Sequence, residues 1–370
     1  MDRHSTWHSG FISLVGAAIG VVACINFAHA ADLPSYQQVK KDWRSSDAWL
    51  LDRNGRELQR VRLDNSVWRY EWALVSQISP ALKDALLASE DQRFFEHGGV
   101  DWAGAVGAAV GNFGRLSSKK GMRGASTLTM QLVGLLDADL KRGAGGRSFS
   151  QKLGQARAAL ALEKQWSKNE ILEAYFNLVT YRGELQGVSA MSHGLFGKAP
   201  HGLDRRESAI AAALLRAPNA DAKRVADRAC WLLNFQNGER NITRPVAADT
   251  CDGLAGEVKQ VLSRGYEAFP KQDAASHAAR RLLAQAHATP GMRVASTLDA
   301  SIQATARHAL RTRLSELNGR NVEDGAVVVL DNATGEVLAY VGSSGDFSRA
   351  TEVDGANAPR QAGSTLKPFL

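Results

Sequence analysis

Apolar and polar positions divide this chain into stretches of different period. Near the N-terminus, after Arg3, an apolar run without charge extends from Phe11 to Phe27. Around residues 47–72 the period is two. Ala48-Trp49-Leu50-Leu51-Asp52 and Glu57-Leu58-Gln59-Arg60-Val61 flank Arg53-Asn54-Gly55 there, and an Asn-Gly pair between such segments predicts a β-hairpin. From about residue 80 to about 220 the chain is rich in alanine and leucine at helical spacing. Pro80 opens one helical run, Ala81 to Ala88, which breaks toward Gly98-Gly99. Ser167 and Glu170 form a capping box for another, with Ile171, Leu172, Tyr175 and Phe176 on one face. Residues 221–292 are polar and alanine-rich and read as a helical linker or small subdomain. Alternation returns in Gly325 to Val341 as a strand, an Asn/Gly turn and a second strand.

Composition adds class and compartment. At 370 residues, with 44% hydrophobic and 22% charged positions, the chain can build two or three domains with real cores. A net charge of +7 suits an acidic partner such as an anionic membrane surface or a phosphorylated lipid. No aromatic-interleaved basic stripe, zinc spacing or recognition helix supports nucleic acid. The N-terminal apolar run, followed by Ala28-His29-Ala30, fits a signal peptide cleaved after Ala30 and equally a single membrane anchor. Either reading exports the rest. Of three cysteines, Cys24 lies in that run, while Cys230 and Cys251 can pair in an oxidising compartment or stay as thiols. No metal-ligand cluster is visible.

Three segments carry candidate chemistry. Ser89 to Asp101 gathers Glu90, Asp91, Glu96, His97 and two phenylalanines at a helix end. A carboxylate beside aromatic rings suits a general acid or base; a charged helix terminus packed on Phe94 and Phe95 is the alternative. In Arg123 to Leu132, Ser126, Thr127 and backbone N–H groups at a helix start can bind an anion, with Lys119, Lys120 and Arg123 upstream. A simple hydroxyl cap gives the same pattern. In Ser167 to Asn177, Lys168 and Asn177 are the residues free to face a ligand; the rest is scaffold.

Together these segments resemble the family 51 glycosyltransferases, the peptidoglycan polymerases. Glu90 to Asp101 looks like their first signature and Gly124 to Leu132 like their second. Lys168 to Asn177 matches K-x-x-I-L-x-x-Y-x-N, and Phe196-Gly197-Lys198 matches the turn that follows. The whole chain resembles a class A penicillin-binding protein, and Met130-Gln131 with Leu366-Lys367-Pro368-Phe369 points to the 1C type. The resemblance implies polymerisation of lipid II into a glycan strand. Glu90 would take the acceptor 4-hydroxyl proton as that oxygen attacks the donor anomeric carbon, with inversion and release of undecaprenyl pyrophosphate. It also implies that Arg123, Lys152 and Lys168 stabilise the pyrophosphate, that Ser126, Thr127 and Gln131 line the donor site, that Phe94 backs the Glu90 loop, and that His97 and Asn177 contribute to substrate binding. One departure stands out. Gln155 occupies the place of a second family glutamate and cannot supply its charge. Glu163, two turns later, is expected to face elsewhere, at the surface.

The implied architecture is mainly α: a lysozyme-like glycosyltransferase domain with an anchor or signal segment, a short β lead-in and an incomplete α/β transpeptidase start. The expected divisions are 1–30 signal or anchor, 31–78 β lead-in, 79–220 glycosyltransferase, 221–297 helical linker and 298–370 transpeptidase start. In the last, Ser364 and Lys367 form the S-x-x-K acylation motif, with Ser364 as nucleophile and Lys367 to activate it. The S-x-N and K-T-G elements do not follow, so transpeptidation is not expected of this chain. The expected setting is the bacterial inner membrane with the catalytic domain in the periplasm. The partners there are lipid II, the growing strand and other cell-wall synthesis proteins. No cofactor is required, and a divalent cation (Mg or Mn) can assist. Two alternatives are a non-catalytic fragment that binds lipid II or partner proteins, and a lysozyme-like hydrolase that also uses one glutamate.

Overall fold

The computed structural model describes residues 33–104, 126–137, 139–140, 149–236, 251–263, 274–359 and 361. The N-terminal apolar run, Arg123, Ser364 and Lys367 lie outside the described residues. The chain divides into two compact units. The first takes its described residues from Met1–Trp43, Ala73–Arg182 and Pro200–Gln260, and the second from Arg44–Trp72, Gly183–Ala199 and Val261–Leu370.

The first unit is helical. It contains α1 (Tyr36–Asp42), α2 (Pro80–Glu90), α3 (Leu128–Leu136), α4 (Phe149–Leu162), α5 (Lys168–Leu178), α6 (Arg205–Arg216), α7 (Ala222–Gln236) and most of α8 (Leu254–Ser263). Local chemistry sets several boundaries. Pro80 sits at the first turn of α2, where its missing N–H costs nothing. Capping boxes of Ser167 with Glu170 and Asp204 with Glu207 begin α5 and α6. Helix α6 is buried from Ser208 to Leu214, and its run of alanines lets α2 and α7 pack closely against it. Leu82, Ala85 and Leu86 of α2 are fully buried in that core. Helix α3 packs on α4 and α5. Cys230 and Cys251, left open by the sequence, are joined as a disulfide between α7 and the approach to α8.

The short strand Thr180–Arg182 belongs to the first unit, and the second holds most of the described strands. Here β1 (Asp47–Leu51) and β2 (Glu57–Arg62) form the expected antiparallel hairpin. Gly55 adopts φ +78 in its turn, while Asp52 accepts the N–H groups of Asn54 and Arg56. The other neighbour of β1 is β3 (Arg293–Ala295), which pairs in parallel. Helix α9 (Ser276–Gln285) closes this sheet with Ala278, Ala279 and Leu283 against Ala48, Leu50 and Leu58. A second antiparallel hairpin, β4 (Val327–Leu330) and β5 (Val337–Val341), packs on α10 (Ala300–Glu316). No described helix is long and apolar enough to cross a membrane.

Candidate active site

Glu90 is the last residue of α2, and Asp91 caps that helix. The two neighbouring carboxylates face different partners. Asp91 is 7% exposed and accepts the Leu128 N–H at 2.9 Å, tying the end of α2 to the start of α3. It also lies 3.0 Å from His97 Nε2. His97 Nδ1 accepts the Gly99 N–H at 3.3 Å, so Nε2 carries the proton that faces Asp91. Thr127 caps α3 by accepting from Met130 N, and its hydroxyl donates to the Gly99 carbonyl at 2.6 Å. The loop after Glu90 is thus fastened to α3 at two points.

Glu90 itself is held from its own helix and from α3. The Ser89 hydroxyl donates to Glu90 Oε1 at 2.8 Å, and Gln131 Nε2 donates to Oε2 at 3.2 Å. Gln131 does not choose that orientation alone. The Tyr175 hydroxyl of α5 donates to Gln131 Oε1 at 3.0 Å, which leaves the amide NH₂ turned toward Glu90. This relay delivers a donor to a half-buried carboxylate, as a positioned general base requires.

Behind the loop, Phe94 is 1% exposed, with Lys168 Nζ 4.4 Å from its ring centre. That ammonium donates to the His97 carbonyl at 2.6 Å and pairs with Glu163 at 2.8 Å. Glu163 is therefore not the outward surface residue the sequence suggested. Its carboxylate is buried, and it also accepts the Thr129 hydroxyl at 2.6 Å. Lys168 is clasped rather than extended toward open space. Arg93 completes the loop by a bidentate pair with Asp101. Burial pushes the Asp101 carboxyl up, but the Gly104 N–H and Arg93 outweigh this and hold it below its ordinary value.

Glu90, Phe94, His97, Thr127, Gln131 and Lys168 thus belong to one connected set. Ser126 directly precedes Thr127 and is half-buried, while Lys152 is exposed on the first turns of α4. Two expected residues look elsewhere. Asn177, read as free to face a ligand, is 1% exposed and grips Ala73: its carbonyl accepts Ala73 N–H, and its NH₂ donates to the Ala73 and Glu173 carbonyls. A buried amide with these bonds is already satisfied, which is why it turns inward. Gln155 is fully buried and donates to the Leu140 carbonyl at 2.6 Å, with its Oε1 left unpartnered. Among the described residues, no group of three or more His, Cys, Asp or Glu is gathered to hold a metal ion.

Sequence reasoning missed Asp91, Tyr175 and Arg228. Tyr175 counted only as an apolar face residue. Arg228, on α7, is half-buried, and its charge is acted on by Arg216 and Glu90. Burial and then the Arg216 charge lower its pKa, against an opposing pull from Glu90.

A family model described as transglycosylase matches residues 54–236, which hold every residue of this set. Penicillin-binding protein 1C of Escherichia coli (strain K12) is 31% identical over 87% of this chain and 40% of its own length. Penicillin-binding protein 1A of Rickettsia conorii is 27% identical over 88% and 41% respectively. A solved structure of penicillin-binding protein 1A from Haemophilus influenzae aligns with 79% of this chain and 32% of that one, at 17% identity and a TM-score of 0.31, too weak a likeness to speak for the fold. The chain spans about two fifths of the length of these sequence relatives. It belongs to the transglycosylase family, the family 51 peptidoglycan glycosyltransferases of the class A penicillin-binding proteins.

Proposed function

We propose that this chain polymerises lipid II into glycan strands with Glu90 as the base. The observation that carries the reading is the carboxylate of Glu90 at a helix end, oriented by Ser89 and by the Tyr175–Gln131 relay. Glu90 removes the proton of the acceptor 4-hydroxyl, and that oxygen forms the new bond to the donor anomeric carbon. The bond from that carbon to the pyrophosphate oxygen breaks, undecaprenyl pyrophosphate departs with the electron pair, and the centre inverts. Arg123 and Lys152 are proposed to meet the departing charge. Ser126 and Gln131 face the donor. Phe94, His97, Thr127 and Lys168 hold the loop in place, and Gln155 and Asn177 support the packing around it. The proposed setting is the outer face of the inner membrane, with other cell-wall synthesis proteins as partners.

The test is incorporation of labelled lipid II into polymer. Glu90→Gln keeps the shape but cannot accept a proton, and its rate should fall at least ~100-fold, within the usual range for general base catalysis. A wild-type rate from that variant refutes the assignment. Sugar fragments released from purified sacculi, without polymer, would favour the hydrolase reading instead.

A further inference from the structure

A cavity of about 400 Å³ lies wholly within the second unit, bounded by β2, the start of α9, α10 and the segment that follows β5. Its wall joins two kinds of surface. Trp68, Tyr70 and Leu310 present rings and methyl groups, while five guanidinium groups outnumber the carboxylates of Asp47, Asp346 and Glu352. Arg60 lies 3.6 Å from Asp47, Arg62 lies 2.6 Å from Glu184, and Arg280 pairs with Glu352. The other two, Arg307 and Arg311, stand one turn apart on α10, with Arg311 over the Phe347 ring at 5.2 Å. The Arg280–Glu352 pair shows the cavity already taking a carboxylate. The Glu352 side chain is 79% exposed, and an ion pair so exposed is weak enough for another carboxylate to displace it. Also in the wall, His277 is 9% exposed, and its Nε2 is buried without a hydrogen-bond partner among the described residues. A buried polar atom left unmatched costs stability that a bound polar group recovers. A lone inorganic anion would leave the ring surface and most of the volume unused, whereas a space of this size and mixed lining suits an organic ligand. Among the described strands, β2 and β5 each have a strand neighbour on one side only, as the uptake of an extended peptide requires.

We propose that this cavity binds an acidic peptide segment of a partner protein. Its carboxylates replace Glu352 on Arg280 and reach Arg311, and an apolar side chain between them rests on Trp68 and Leu310. The site shares no residue with the Glu90 set and stands whether or not Glu90 is the base.

Titration calorimetry on the full chain reads this without turnover, with acetyl-Glu-Leu-Glu-amide as probe and acetyl-Gln-Leu-Gln-amide as its neutral counterpart. Wild type should bind the acidic probe roughly tenfold more tightly than the neutral one, and the Arg280→Gln/Arg311→Gln double variant should lose that preference. Arg313→Gln, on α10 but outside the cavity wall, should match wild type. Glu352→Gln removes the internal competitor and should tighten binding of the acidic probe about threefold. Because Glu352 is exposed, that arm still decides the matter should the double variant fail to unfold cooperatively. No binding of the acidic probe by wild type, equal affinity for the two probes, or no tightening in Glu352→Gln overturns the site. Displacement of the acidic probe by an equal concentration of inorganic phosphate would assign the cavity to a small anion and overturn the peptide.

Discussion

Replacing Tyr175 with phenylalanine removes one oxygen and should slow catalysis without touching Glu90. In the folded chain Tyr175 is 2% exposed, so the ring stays packed while the bond to Gln131 Oε1 disappears. A neutral hydrogen bond of this kind is worth about 1 kcal/mol net. Without it the Gln131 amide can turn, and the Gln131 NH₂ bond to Glu90 at 3.2 Å is no longer enforced. That bond ends on a carboxylate, and such bonds are worth about 1.5–3 kcal/mol. Gln131→Ala should therefore lower kcat roughly 10- to 100-fold, and Tyr175→Phe about fivefold. The informative quantity is the double variant. If Tyr175 acts through Gln131, adding Tyr175→Phe to Gln131→Ala should cost almost nothing more, a coupling of about 1 kcal/mol. Initial rates of labelled lipid II incorporation at saturating substrate measure all four corners of this cycle. Additive losses would refute the relay, because Tyr175 would then be acting by another route.

Two further outcomes test the frame around the site. Gly99 has φ +101, and a Cβ there would lie 2.7 Å from the Ala159 carbonyl oxygen, so Gly99→Ala should cost about 2–4 kcal/mol of stability; urea unfolding at the wild-type midpoint would refute it. In the second unit, burial raises the pKa of Asp47 from 3.8 to about 6, opposed by Arg60 at 3.6 Å. The folded state therefore holds this proton more tightly than the unfolded chain. Its stabilising contribution is full below about pH 4 and is lost as pH rises through 6, on the order of 2–3 kcal/mol. Asp47→Asn should flatten the stability profile between pH 4 and 7 by that amount, and parallel profiles for the two proteins would refute the shift.

What the sequence made legible is local. Asn54-Gly55 announces its hairpin because the turn chemistry lies within four residues, and Ser167 with Glu170 announces the start of α5 for the same reason. The connection of β1 to β3 is invisible locally, since a parallel partner some 240 positions onward leaves no mark in either segment's alternation. The same limit governs the site. Glu90 was legible as a residue type at a helix end, whereas the roles of Asp91, Tyr175 and Glu163 depend on partners from 5 to 44 positions away. Asn177 misled because an amide in a matching motif says nothing of which way it turns. Burial decided that it grips Ala73.

Glu90 and Asp91 are consecutive, chemically alike and one methylene apart in length, yet one is the proposed base and the other is a rivet between two helices. A loss-of-function screen that scores only polymer would not tell the two apart. Separating them needs two axes measured together, turnover and resistance to unfolding. Glu90 substitutions should move along the first alone, and Asp91 substitutions along both. The rivet also makes the spacing between these carboxylates a poor target for engineering, since any shift that re-aims the base must first unfasten α3.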